Sequence, residues 1–182
     1  LAGDQGGFSV VALVEDLDRP PMAKSAWQFF RLRPANFPTL RIAQAVALLR
    51  PGRLLHGDAA GRLIEAIESN HPVDSLRQLL RVPLPEFWRT HIRLDRPTKS
   101  RNPTLGSRRA DDIAVNVLLP MVLFYAEQND RPELGGRVEG VLEEFPAGSD
   151  RITRKFEGMG ATPASALEAQ GMHQLYRTRC SE

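Results

Sequence analysis

The sequence predicts a mainly α-helical fold, an irregular multi-helix bundle of seven or eight helices with one long Pro/Arg-rich connection. Three observations lead there. Apolar residues recur at helical spacing along most of the chain, and almost no stretch alternates as a half-buried strand would. Helix-opening residues stand ahead of those runs at Asp58, Pro72, Ser107, Pro132, Asp150 and Pro163. The intervals between the openings are unequal, so no internal repeat organises the chain.

Residues 1–21 form an N-terminal arm whose class the pattern leaves open. Phe8 to Val14 is a short apolar run readable as a strand or a buried helical turn, and Pro20-Pro21 ends it. Met22 to Arg31 places Ala23, Ala26, Trp27 and Phe30 at helical spacing. The segment Arg33 to Pro38 cannot be helical, because each proline biases the residue before it towards extended geometry. Thr39 to Leu49 is apolar nearly all round apart from Arg41 and Gln44, which predicts a helix in the middle of the bundle. Pro51-Gly52 closes it.

Asp58 opens a helix to about Ser69, and Pro72 opens another to about Arg81. From Val82 to Gly106 four prolines predict irregular structure, long enough to be functional or packed by its own aromatics. Ser107 reads as the N-cap of a helix running to Gln128 with a kink at Pro120. Asp130 and Pro132 open a helix that ends by Phe145-Pro146. Asp150 opens a short one to Glu157, closed by Gly158 and Gly160. Thr162-Pro163 opens the last, to about Arg177. All of residues 1–182 read as a single helical domain.

Composition narrows the function classes. Basic and acidic residues number 24 and 22, a net charge of +2 that by itself is weak evidence for nucleic acid. The basic residues are 21 Arg and 3 Lys. The lone Cys180 rules out an internal disulfide and suits the cytoplasm. The longest apolar run, Ile113 to Ala126, is interrupted by Asn116 and Pro120 and falls short of the roughly 20 residues a bilayer requires, so no membrane partner is expected. There is no nucleophile elbow, phosphate-binding loop or dinucleotide fingerprint. His56, His71, His91 and His173 are scattered, which offers no zinc cluster. Each reads as a surface or loop residue. No cofactor, no resident metal and no catalytic residue is expected.

Three constellations remain. Asp112, Asn116 and Pro120 share a helical face, where proline frees the carbonyl of Asn116; this reads as a hydrogen-bond network fixing a kinked helix, or as a ligand site. Arg33, Asn36, Arg41 and Gln44 gather with Arg31 around the Phe37-Pro38 turn. An arginine on a buried helix calls for a carboxylate, with Asp111 or Asp112 the expected partner, or else for an anion. The third is the stretch Trp88, Arg89, Arg93, Arg96, Arg101, Arg108 and Arg109, which also carries His91 and Lys99; Asp95 is the one acid between Arg89 and Arg109. Basic charge with a stacking ring suits nucleic acid; docking on an acidic protein surface would need the same residues.

The run Trp27-Gln28-Phe29-Phe30-Arg31-Leu32-Arg33-Pro34-Ala35-Asn36-Phe37-Pro38-Thr39-Leu40-Arg41-Ile42-Ala43-Gln44 resembles the hallmark of a bacterial family known as domain of unknown function 2851. Leu105-Gly106 with Asp112 to Pro120 is similar to a second block of that family, and Ala166 to Leu175 to a third. The resemblance implies a helical C-terminal portion of a longer protein. It implies an upstream half with an acidic core like that of restriction-endonuclease-like enzymes, so that any nuclease activity would reside upstream. It also implies further cysteines beyond Cys180, with which that residue could hold a metal. The expected role is an accessory module, partnered by the upstream domain of the same protein and contacting nucleic acid. The alternative is a structural or protein-interaction domain without either role.

Overall fold

The structure, a computed structural model, describes Ala23, Ala26 and residues 36–92 and 96–179. The Phe8–Val14 run, the helix expected over Met22–Arg31 apart from Ala23 and Ala26, and Arg31, Arg33, Arg93, Asp95 and Cys180 lie outside the described residues. The described residues form α1 (Pro38–Leu48), α2 (Ala59–Glu68), α3 (Pro72–Leu80) and a single turn α4 (Phe87–Thr90). Then come α5 (Ser107–Ile113), a π-helical turn (Ala114–Leu118) and α6 (Leu119–Gln128), which run on as one rod. After it stand α7 (Pro132–Glu144), α8 (Arg151–Glu157) and α9 (Ala166–Arg179). With the rod taken as one helix, the described residues hold eight. An isolated antiparallel bridge, Pro146 to Ser165, is the β pairing found among them.

Local chemistry explains most boundaries. The Asp58 carboxylate accepts the Gly61 N–H at 2.7 Å and caps α2. Pro72 and Pro132 stand at the first positions of α3 and α7, where a missing N–H costs nothing. Asp150 and Thr153 form a reciprocal capping box at the start of α8. Gly160, at φ +90, makes the left-handed turn that follows it.

Four expectations change. Ser107 is the first helical residue rather than the cap; Gly106 stands at the cap position and no side chain bonds there. The last helix starts at Ala166, not Thr162-Pro163. Ser165 accepts the Glu168 N–H at 3.3 Å and Glu168 accepts the Ala164 N–H at 2.8 Å, a reciprocal cap stronger than a proline three residues earlier. The irregularity ahead of Pro120 is a π-turn over Ala114–Leu118, one of the few ways a helix accommodates a local conflict.

The fourth concerns the centre of the bundle. It is α7 and not α1: α7 packs on α6, α9, α2 and α3. Leu134, Val138, Val141 and Leu142 of α7 are buried, and Phe145 just beyond it is the largest fully buried side chain. Apolar composition alone misplaced α1. It buries Leu40, Gln44, Ala47 and Leu48 but leaves Ile42 48% exposed beside an open groove. The 82–106 connection wraps this helix. Thr39 Oγ1 donates to the Ile92 carbonyl on one side, and Gln44 Nε2 donates to the Pro103 carbonyl at 2.7 Å on the other.

Candidate functional site

Two clefts that contain polar side chains flank the start of the rod. The first, of about 390 Å³, is lined by Asn36, Arg41, Gln44, Leu48, Leu105 and Arg109 among others. Arg41 is half-buried, and its guanidinium donates to Gln44 Oε1 at 2.8 Å and to Asn36 Oδ1 at 2.9 Å. Both acceptors are neutral amides. The expected pairing with Asp111 or Asp112 is not made. Asp111 has both oxygens on Arg77, at 2.7 and 2.9 Å, and Asp112 stands 3.6 Å from Arg109. The physical reason is position: Asp111 faces α3, where Arg77 presents a side-on guanidinium fork. Burial, then the neighbouring charge of Arg109, holds Arg41 below the ordinary arginine range. Two cations therefore share this cleft, and among the described residues the one carboxylate that reaches either of them is the half-exposed Asp112.

The second cleft, of about 440 Å³, lies between α5 with its π-turn, the 146–150 loop and α9. Asn116 is exposed there. Its Nδ2 donates to the Asp112 backbone carbonyl at 2.8 Å, and its Oδ1 accepts from Gln170 Nε2 at 3.1 Å. The buried network expected around Asp112 and Asn116 is thus an open, partly bonded one. Across the cleft, His173 Nε2 donates to Asp150 Oδ2 at 2.6 Å. The other Asp150 oxygen holds the α8 N–H groups of Ile152 and Thr153 at 2.6 and 3.1 Å. Burial works against the charge on Asp150, but those N–H groups and His173 outweigh it and bring its carboxyl below its ordinary 3.8. Arg108 reaches the Ser149 carbonyl at 3.4 Å. No three His, Cys, Asp or Glu side chains among the described residues converge as a metal site would require.

The model of the family described as protein of unknown function (DUF2851) matches residues 11–151, well over half of the chain. The chain belongs to the DUF2851 family. No curated protein and no solved structure matches it. In this DUF2851 member the matched span contains the whole first cleft and, of the second, the α5 side and the 146–150 loop, while Gln170 and His173 on α9 lie past its end.

The rest of the basic stretch lies along the connection before α5 and on the first turn of α5. The Arg101 N–H donates to the Arg89 carbonyl at 2.9 Å, which draws the two ends of that loop together. Arg89 and Arg96 are exposed, and Arg89 stands 3.5 Å from Glu86. Arg101 is half-buried, with its Nε enclosed and without a hydrogen-bond partner among the described residues. Trp88 lines an apolar groove of about 310 Å³ with Ile42, Val46 and Leu84, while Phe87 stacks on His91 at 4.2 Å. Arg108 and Arg109 are exposed and diverge, Arg108 to the second cleft and Arg109 to the first. No described helix is long and apolar enough to cross a membrane.

Sequence reasoning missed Asp150, Gln170 and His173 as a group. Asp150 was legible only as a helix cap, and His173 has its partner 23 residues away. The available signal was the spacing of Gln170 and His173, three apart and hence on one face of α9, within the third family-like block.

Proposed function

We propose that this chain is a helical accessory module that contacts the phosphate backbone of nucleic acid, beside an upstream domain of the same protein in a bacterial cytoplasm. The observation that carries the reading is Arg41. It is a half-buried cation held in place by the amide oxygens of Gln44 and Asn36, with Arg109 lining the same cleft. An arginine that only needed to be neutralised would be expected to find a carboxylate. One oriented by neutral acceptors keeps its charge for an external anion, and phosphate matches its planar fork. Arg89, Arg96 and Arg101 stand on the connection that is hydrogen-bonded to the same helix through Ile92 and Pro103, and supply further contacts along a strand. Groups of this kind bind backbone rather than bases, so little sequence preference is expected.

Fluorescence anisotropy with labelled single-stranded and duplex DNA and RNA, at two or more salt concentrations, tests this. Binding should weaken steeply with salt, and Arg41→Ala combined with Arg109→Ala should lower the slope of log affinity against log salt by about 0.7–0.9 per contact removed. Absence of binding at low salt, or a slope that the double variant leaves unchanged, would sink the reading. A protein partner would then be the better account, with the apolar groove of Ile42, Val46 and Trp88 as the face to examine.

A further inference from the structure

The second cleft differs from the first in charge and in hydrogen-bonding character. Asp111, Asp112 and Asp150 line it together with a single guanidinium, Arg108, and Asp111 is already matched by Arg77. A phosphate placed there would meet the carboxylates of Asp112 and Asp150 as well as the matched Asp111, so an anion is the wrong occupant. The polar groups are instead of mixed kind. An ionised Asp150 can only accept a hydrogen bond, so the proton between it and His173 belongs to Nε2 of the imidazole. In the neutral ring, Nδ1 then carries a lone pair, and that nitrogen has no partner among the described residues. Gln170 commits one amide N–H to Asn116, and its Oε1 has no partner among the described residues. Arg108 makes one long bond and keeps its remaining donors. Between these groups the lining is apolar, with Val115, Ala166 and Ala169.

Donors and acceptors alternating over an apolar floor suit a molecule whose own groups both donate and accept. We infer that this cleft binds an uncharged, hydroxyl-bearing ligand of the sugar or nucleoside type, with His173 Nδ1 accepting from one hydroxyl and Gln170 and Arg108 fixing another. Asp150 is the positioning residue. Its backbone-anchored carboxylate sets the imidazole's tautomer and angle, as carboxylates do for histidines that must present one nitrogen. The site is separate from the Arg41 cleft and does not depend on nucleic acid binding there.

The hydroxyls could belong to a free sugar or to the ribose of a nucleoside, so two probes are needed. The ¹⁵N-labelled chain is titrated to millimolar concentrations with methyl β-glucoside and, separately, with adenosine. The side-chain amide signals of Asn116 and Gln170 and the ring signals of His173 are followed. Saturable shifts at these residues with either probe support the site, and the probe that acts identifies the source. Gln170→Ala, which leaves the α8 cap intact, should then weaken the responsive probe about tenfold, while Arg41→Ala leaves it unchanged. No shift at the three residues with either probe overturns the inference. So does a Gln170→Ala variant that binds as well as the parent. Inorganic phosphate is the control: if it shifts these residues more than both neutral probes, the cleft is an anion site and the assignment is wrong.

Discussion

Arg77 and Arg41 are both half-buried arginines on helices, and the fold treats them in opposite ways. Arg77 on α3 meets Asp111 on the rod side-on, through two short bonds, with Asp74 at 3.5 Å as a second acid and the Phe145 ring 5.8 Å from its guanidinium carbon. Its hydrogen bond to Asp111 is the main reason that its affinity for a proton is raised, although burial pulls the other way. Arg41 on α1 meets amide oxygens and a neighbouring cation, and its proton affinity falls. A guanidinium already matched by a carboxylate joins two elements. One that is merely oriented is available to something outside the chain. Partner chemistry, more than burial, separates an internal strut from a contact surface.

The largest test of this difference is Arg77→Met. It leaves Asp111, whose side chain is only 17% exposed, without its counter-charge. A fully buried broken pair costs about 3–5 kcal/mol, and the residual solvent here reduces the expectation to about 2 kcal/mol. Urea unfolding measures it. Nucleic acid affinity should be unchanged, and a loss of affinity without a loss of stability would erase the distinction drawn between the two arginines.

Asp150 is an acid that resembles Arg77 in being matched, and its charge can be removed by pH. Its carboxyl is depressed on folding, so its contribution to stability is complete above the ordinary value of 3.8 and is lost as pH falls below that, through the folded-state value. Asp150→Asn keeps an adequate helix cap while deleting the charge. The parent should therefore exceed this variant by about 1 kcal/mol near neutrality, a figure limited by solvent around a half-exposed group, and the gap should close in acid. A gap independent of pH would mean that the charge is not what anchors α8.

The smallest and sharpest test converts Arg41 into a second Arg77. Asn36 already accepts from Arg41 at 2.9 Å, so Asn36→Asp adds a carboxylate of the same shape at the same place. Stability should rise by no more than about 0.5 kcal/mol, because the new pair is exposed. The salt dependence of nucleic acid binding should nonetheless fall as it does on removing the arginine. A variant that binds as tightly as the parent would show that Arg41 does not face the phosphate.

What was legible in the sequence follows the range of the interaction. Asp58, Pro72, Pro132 and Asp150 mark helix starts because caps act over three or four residues, and all four were read correctly. Ser165 and Glu168 carried the same signature, and a nearer-looking proline concealed it. Partner choice was not legible. Arg77 and Asp111 are 34 residues apart, and nothing in a chain of 21 arginines says which one the packing of α3 on α5 will deliver. The grouping of Arg41 with Asn36 and Gln44 was legible, whereas the fold delivers their amides to Arg41 in place of the expected carboxylate. The central place assigned to α1 failed for a related reason: hydrophobic composition reports what a helix could bury, while the 82–106 connection covers only part of this one. Asp112 and Asn116 were singled out on their own helix. Gln170 and His173, the other wall, required the tertiary fold.

The π-turn has a consequence for angular phase. Buried residues along the rod recur every fourth position, at Ala110, Ala114, Leu118, Val122 and Ala126. On an ideal helix each step of four overshoots a full revolution by about 40°, so this stripe would wander about 160° around the rod and leave the core before its end. One wide turn slips the backbone by about one residue, roughly 100°, and cancels most of that drift. The turn works like a leap day, an inserted unit that keeps two incommensurate cycles aligned. Its rotation also decides which side chains at its own level look outward, and Asn116 is among them. The wall of the second cleft and the straightness of the hydrophobic seam are therefore set by the same inserted residue, so a single-residue deletion between Ala114 and Leu118 would put both out of step.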